Sequence, residues 1–328
     1  MIKLALLGAG RIGQVHGRTI KGMDTATVTA VSDFYPDTAK TLADAMGAAV
    51  RDNAAIMASE DVDAVVIGTP TDTHFDLIQQ AAESGKDIFC EKPVDMSADR
   101  IRALIKIIDQ TGVQFMTGFN RRFDPSFADV QARIAAGEVG DVEMVTILSR
   151  DPSPPPLSYI KSSGGIFRDM MIHDLDMARF LLGADPVEVV AYGSALVDPA
   201  IADAGDVDTA GVMLKTASGQ ICQISNSRRA SYGYDQRIEV HGAKGMLRAE
   251  NHLENTVEVA TETGFRRAPT LNFFLERYES AYRLEMAHFV RCLSTGVPVT
   301  PTIHDGLQAQ IMADAATLSC QTGKPVAL

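Results

Sequence analysis

The chain opens MIKLALLGAGRIG, residues 1–13, and this stretch decides how the rest is read. An apolar run over 3–7 leads directly into Gly8-Ala9-Gly10-Arg11-Ile12-Gly13, and a helical pattern follows. In a strand–GxGxxG–helix unit the glycines permit a tight turn, close approach of backbone to a pyrophosphate, and close packing of helix on strand. The helix N-terminus then offers N–H donors and partial positive charge to phosphate. With no basic segment and no small-residue cleavage site, the opening reads as a buried strand rather than a secretion signal.

Further strand-like runs at 27–32, 64–68, 88–90 and 114–118 alternate with amphipathic stretches such as 37–46 and 74–84. Short apolar strands separated by helices predict a parallel, doubly wound sheet, because parallel strands need crossover connections. After Phe123 the pattern changes. Helices are expected at 125–136 and 167–182, the second stopped by Gly183 and Pro186, with a strand at 142–149 and a proline-rich loop at 151–157. Strand-like runs at 188–197, 209–216, 219–226, 236–241, 244–249 and 256–260 have no helices between them, which predicts a mostly antiparallel sheet. Long helices are expected at 273–295 and 305–322. The fold class is therefore α/β: a Rossmann domain over 1–119 and a second, α+β domain over 120–328.

Composition excludes several classes of partner. A formal charge of -12 without a Lys/Arg cluster argues against nucleic acid, whose phosphates need a basic face. No apolar run approaches the length of a membrane span. The cysteines, Cys90, Cys222, Cys292 and Cys320, are scattered without a C-x-x-C pair, which fits reduced thiols in a cytoplasmic protein.

Asp33 ends the second strand-like run, where a carboxylate can accept both ribose hydroxyls; it would repel a 2′-phosphate, and Phe34 offers no cation, so NAD is favoured over NADP. Thr69, Pro70, Thr71 and His74 lie in GTPTDTH at the end of the 64–68 run, the edge at which such sheets bind ligands. His74 reads equally as a bystander to helix capping. Glu91-Lys92-Pro93 follows the next run at the same edge, and Lys92 could hydrogen-bond a reacting oxygen or simply be a surface charge.

A third segment is GGIFRDMMIHDLD, residues 164–176. Asp169, His173 and Asp176 are spaced i, i+4, i+7 and would share one helical face, with Met171, Leu175, Ala178 and Leu182 on a face turned to a core. A carboxylate one turn from an imidazole could orient it, and an exposed i, i+4 pair fits the same spacing. No ligand set for a metal is completed.

Taken together, GAGRIG with a following His16, TPTDTH, EKP, GFNRRFDPSF and GGIFRDMMIHDLDMARFLLG resemble the glucose-fructose oxidoreductase/inositol dehydrogenase (Gfo/Idh/MocA) family across the whole chain, in the manner of its inositol 2-dehydrogenases. The resemblance implies a catalytic trio of Lys92, Asp169 and His173. His173 would be the general base, Lys92 would polarise the hydroxyl, and Asp169 would pair with Lys92. It implies a cis Lys92–Pro93 bond and places Asn120 and Arg121 beside nicotinamide or substrate. Asp151 and Tyr232 fall where such enzymes contact substrate, although Ser149-Arg150-Asp151 departs from the pattern of some myo-inositol enzymes. Tyr278 and Tyr282 are weaker candidates, since tyrosines four apart on a helix commonly face a core.

The function implied is NAD-dependent oxidation of a cyclic polyol, myo-inositol foremost, in polyol catabolism. Scyllo-inositol or an aldopyranose is the nearest alternative substrate. A non-catalytic NAD-binding regulator is the alternative of another class, against which Lys92 and His173 speak. A homotetramer joined through an open sheet face is also implied.

Overall fold

The computed structural model describes residues 1–328. Chain contacts divide it into two compact units: Met1–Phe123 with Ser280–Gln310, and Asp124–Glu279 with Ile311–Leu328. The division follows packing rather than chain order, because the helix Glu279–Thr295 carries apolar side chains that belong to the first core.

Six strands form the sheet of the first unit: β1 (Ile2–Leu7), β2 (Ala26–Ser32), β3 (Ala49–Val50), β4 (Ala64–Ile67), β5 (Asp87–Glu91) and β6 (Phe115–Gly118). All neighbours pair parallel, in the order β3-β2-β1-β4-β5-β6. The order reverses between β1 and β4, which is where a ligand crevice forms in doubly wound sheets. Strands covered on both faces have no polar side to show, so β4 is buried at every residue and its sequence is uninterrupted Ala-Val-Val-Ile. One core cluster joins Leu4, Leu6 and Phe89 of the sheet to Met286, Phe289 and Val290 of the helix Glu279–Thr295. A buried Leu or Phe contributes about 1.5–3 kcal/mol over an exposed one, enough to bring that distant helix back.

The second unit carries β7 (Val142–Arg150), β8 (Pro186–Ser194), β9 (Thr209–Thr216), β10 (Ile221–Ser227), β11 (Asp235–Gly242), β12 (Gly245–Ala249), an exposed ribbon of β13 (Glu258–Thr261) and β14 (Gly264–Arg267), and a terminal β15 (Val326–Ala327). Its main sheet runs β12-β11-β7-β10-β9-β8-β15. Every pair is antiparallel except β10 with β7. Burial alternates strictly along β9, which leaves one face apolar and covered and the other exposed.

Two expected helices are interrupted. The 167–182 segment is a four-residue turn, Ile166–Asp169, followed by Ile172–Leu182, and the 273–295 segment divides into Phe274–Arg277 and Glu279–Thr295. In the first case the Met171 N–H reaches back five residues to Ile166 O, a wide turn that shifts the register.

Candidate active site

The glycine turn after β1 has the geometry of a dinucleotide cradle. Gly8 sits at φ +100, and a Cβ there would lie 2.7 Å from the Gly68 carbonyl oxygen at the end of β4. A Cβ at Gly13 would overlap the Gly8 carbonyl oxygen, whereas one at Gly10 would meet nothing within 4 Å. Two glycines are thus demanded by the protein's own packing. The third keeps exposed backbone bare beside a helix N-terminus that no side chain caps. That combination fits a pyrophosphate held by the Arg11, Ile12 and Gly13 end of the helix Arg11–Lys21.

Asp33 stands at the end of β2, partly buried. Its Oδ2 accepts the Ala9 N–H at 2.6 Å and its Oδ1 the Tyr35 N–H at 2.8 Å. The carboxylate therefore braces the glycine turn, with lone pairs remaining for a ribose. Phe34 is 88% exposed and brings no cation.

Thr69, Pro70 and Thr71 follow β4 at the same edge, adjoining Gly8 through Gly68. His74, by contrast, is buried, with Nε2 2.9 Å from Thr69 O and Nδ1 3.0 Å from Pro93 O. Burial lowers its pKa, against the pull of those two carbonyls. Its ring ties the TPTDTH loop to the EKP loop, which accounts for it without a ligand.

Glu91 ends β5 and is also turned inward: its Oε1 lies 2.7 Å from Nε2 of His16, which is fully buried on the helix Arg11–Lys21. Lys92 follows, partly exposed, and the Lys92–Pro93 bond is cis, as expected. Asn120 and Arg121 are buried in the turn Asn120–Phe123 after β6. The first unit thus gathers the glycine turn, Asp33, the Thr69–Thr71 loop, Lys92, Asn120 and Arg121 at the carboxyl ends of its strands.

Asp169 and His173 belong to the second unit. They are not on one continuous helix, because the wide turn at 170–171 lies between them. Met171, Leu175, Ala178 and Leu182 form the expected core face. Asp176 is buried at 1% exposure rather than part of an open polar face. His173 is partly exposed, and its neighbour Asp174 is fully buried and accepts a 2.8 Å hydrogen bond from Asn226 Nδ2. The Asp169 carboxylate accepts from the Tyr159 hydroxyl at 2.8 Å and from Arg228 at 3.2 Å. Burial, then the charge of Asp169, pushes the Tyr159 phenol upward, so it remains a donor.

The Tyr232 hydroxyl donates to Asp235 at 2.6 Å and accepts from Arg150 at 3.1 Å. Against its burial, Asp235 is held below the usual carboxylate range by Arg237, Tyr232 and Asn251. Asp151 begins the loop after β7, its N–H bonded to Ser227 O at 2.9 Å. Tyr278 is a core residue, bonded to Gln236 at 3.0 Å and packed edge-on to Tyr234. Tyr282 is buried edge-on to His16. Sequence reading missed Tyr159, Arg228 and the His16–Glu91 pair; the partners lie 10, 59 and 75 residues apart, and no spacing rule connects them.

No group of three or more His, Cys, Asp or Glu side chains is disposed to hold a metal, and no helix is long and apolar enough to cross a membrane. Residues 2–119 match the family model described as "Oxidoreductase family, NAD-binding Rossmann fold", and 131–328 the model described as "Oxidoreductase family, C-terminal alpha/beta domain". The chain is similar to an inositol 2-dehydrogenase of Rhizobium meliloti, 53% identical over 100% of this chain and 99% of the relative. It is also similar to the solved structure of a myo-inositol dehydrogenase from Corynebacterium glutamicum, at TM-score 0.96 and 44% identity over 100% and 99% of the two chains. A scyllo-inositol dehydrogenase from Lactobacillus casei, solved with NAD(H) and scyllo-inositol, matches at TM-score 0.93 and 30% identity, again over 100% and 99%. With both halves matched and the identity spread over its full length, the chain belongs to the Gfo/Idh/MocA oxidoreductase family and carries that family's NAD-binding Rossmann domain.

Proposed function

We propose that the protein oxidises a cyclic polyol, with myo-inositol the first candidate, at one ring carbon to the ketone with NAD as acceptor. The full-length likeness to inositol 2-dehydrogenases, at 53% identity, carries this reading. NAD, when bound, would supply the acceptor for the hydride that the carbinol carbon gives up. His173 takes the hydroxyl proton as general base, Lys92 polarises the same oxygen, and Asp169 balances the charge of Lys92. One alcohol, one NAD⁺ and one base thereby yield one ketone, one NADH and one protonated base.

The cofactor would be held by Gly8, Ala9, Gly10, Arg11, Ile12 and Gly13 at the pyrophosphate and Asp33 at the ribose, with Thr69, Pro70, Thr71, Lys92, Asn120 and Arg121 completing the site and Glu91 and His74 shaping its loops. Substrate hydroxyls meet Lys92, Asp151, Asp169, His173 and Tyr232. A site built to hydrogen-bond several hydroxyls rejects an epimer that leaves a buried partner unpaired. Scyllo-inositol is the second reading, favoured by the likeness to the Lactobacillus casei enzyme.

We further propose a homotetramer in the cytoplasm. The four cysteines are free thiols, which suits a reducing compartment. Tyr192, Met213, Met144 and Met246 stand exposed on the open face of the second unit's sheet, which suits association there.

The test is NADH formation at 340 nm with NAD and myo-inositol, scyllo-inositol, D-chiro-inositol, glucose or galactose. Turnover is expected on myo-inositol, and His173→Ala should lower it about 10²–10⁴-fold. A preference for another polyol would keep the mechanism and replace the substrate; no turnover on any would end the proposal.

A further inference from the structure

We infer that Arg228 is a positioning residue that acts through Asp169, holding its carboxylate in one orientation from the buried side of the second unit. The inference rests on the reading of Asp169 as part of the catalytic machinery.

Arg228 is among the largest fully buried side chains of the protein, with 1% of its side chain exposed. Its Nη2 donates to Asp169 Oδ2 at 3.2 Å and lies 3.9 Å from Asp206 Oδ2. Asp206 Oδ1 accepts the Ile166 N–H at 3.0 Å. The turn Ile166–Asp169 is therefore gripped at both ends. Asp206 caps its first N–H, Arg228 holds the carboxylate of its last residue, and the guanidinium is shared between the two acids. Gly165, at φ +85, makes room for this clamp, since a Cβ there would lie 2.8 Å from Asp206 Oδ1.

The guanidinium is itself on a fixed support. The Arg228 N–H donates to Asp208 O at 2.8 Å. The Asp208 carboxylate accepts the N–H groups of Leu196, Val197 and Asp198 and the Thr209 hydroxyl. Tyr159 closes the opposite side by donating to Asp169 Oδ1 at 2.8 Å, so each carboxylate oxygen of Asp169 has a donor from its own unit.

Stability gives no reason for a cation here. Replacing a buried ion pair with apolar side chains of similar volume is often neutral or stabilising. What a permanent, buried cation on a fixed support does supply is a charge-assisted hydrogen bond that gives the carboxylate one direction. Asp169 lies just before the wide turn at 170–171, where the helical ladder cannot hold it in register with His173. Arg228 takes over that task.

The experiment measures kcat and KM on the full chain with saturating NAD and the preferred polyol for Arg228→Met, Arg228→Lys, Asp169→Asn and the double variant Arg228→Met/Asp169→Asn. NADH fluorescence titration reports independently on the first unit. Arg228→Met should lower kcat about 10–100-fold with NADH affinity unchanged within about twofold, and Arg228→Lys should recover most of the loss. In the Asp169→Asn background, Arg228→Met should cost less than about twofold, because the group it acts through is gone. Effects that multiply independently, or an Arg228→Lys no better than Arg228→Met, overturn the inference. If Arg228→Met does not fold, the same cycle is run with Arg228→Lys, whose smaller loss must also vanish in the Asp169→Asn background. Wild-type turnover in Asp169→Asn overturns the reading of Asp169 and the inference with it. An impaired Asp169→Asn beside an unimpaired Arg228→Met overturns the inference alone.

Discussion

Glu285 has no exposed surface in the first unit, and neither of its carboxylate oxygens has a hydrogen-bond partner. Burial, and then the charge of Glu91, raises its pKa well above the ordinary value, which favours the neutral form in the native state. In the unfolded chain it ionises at about pH 4.3. From that pH upward the unfolded state loses a proton that the folded state retains, and stability falls as pH rises toward the folded pKa. Glu285→Gln removes this penalty without changing shape. We expect its Tm to match wild type near pH 4 and to exceed it increasingly by pH 8, at about 2–4 °C per kcal/mol. A Tm difference that stays constant across that range would exclude a neutral buried Glu285. The same neighbourhood shows how little a single residue announces in sequence. Glu91 stands beside Lys92 at the cofactor edge in sequence, and its carboxylate lies 2.7 Å from His16, 75 residues away.

Among the elements, the glycine turn is the one whose sequence and structure agree position by position. Each glycine has its own expected consequence. Gly13→Ala forces a Cβ against the Gly8 carbonyl, and Gly8→Ala adds an unfavourable positive φ to a 2.7 Å approach; each should cost about 1–3 kcal/mol in a melting experiment. Gly10→Ala meets nothing within the protein, so its Tm should hold while NADH affinity falls at least about tenfold. Unchanged NADH binding in Gly10→Ala would argue against pyrophosphate at this turn. The 164–176 segment was less legible. Its apolar period identified the core face of Ile172–Leu182, but the wide turn at 170–171 broke the assumed face of Asp169, His173 and Asp176. Hydrophobic period reports which side is buried; it does not register one extra residue in a turn held by Asp206 and Arg228.

At the scale of the whole molecule, the open sheet face is the feature that a folded single chain leaves unsatisfied. Tyr192 is 69% exposed and Met213 41%, whereas Val189, Ala191, Val212 and Leu214, which point the other way, are buried. Stable interfaces bury about 800 Å² per partner. Placing a carboxylate at the centre of one is strongly unfavourable. Met213→Glu should therefore split the proposed tetramer into smaller species by light scattering while leaving far-UV circular dichroism unchanged. A Met213→Glu protein that stays tetrameric would remove this face from the assembly.

What sequence alone determined was the cofactor half and the family. Alternating apolar runs and helices specify a parallel sheet, the glycine turn follows from local backbone geometry, and the motifs GAGRIG, TPTDTH, EKP and GGIFRDMMIHD keep their order along the chain. Only the tertiary structure decided that the helix Glu279–Thr295 returns to the first core, that His16 holds Glu91, and that Arg228 and Tyr159 hold Asp169. The reason is physical. Period and turn chemistry act over a few residues and leave their mark in sequence, whereas the partner of a buried charge is chosen by the packing of distant elements, which no local pattern records.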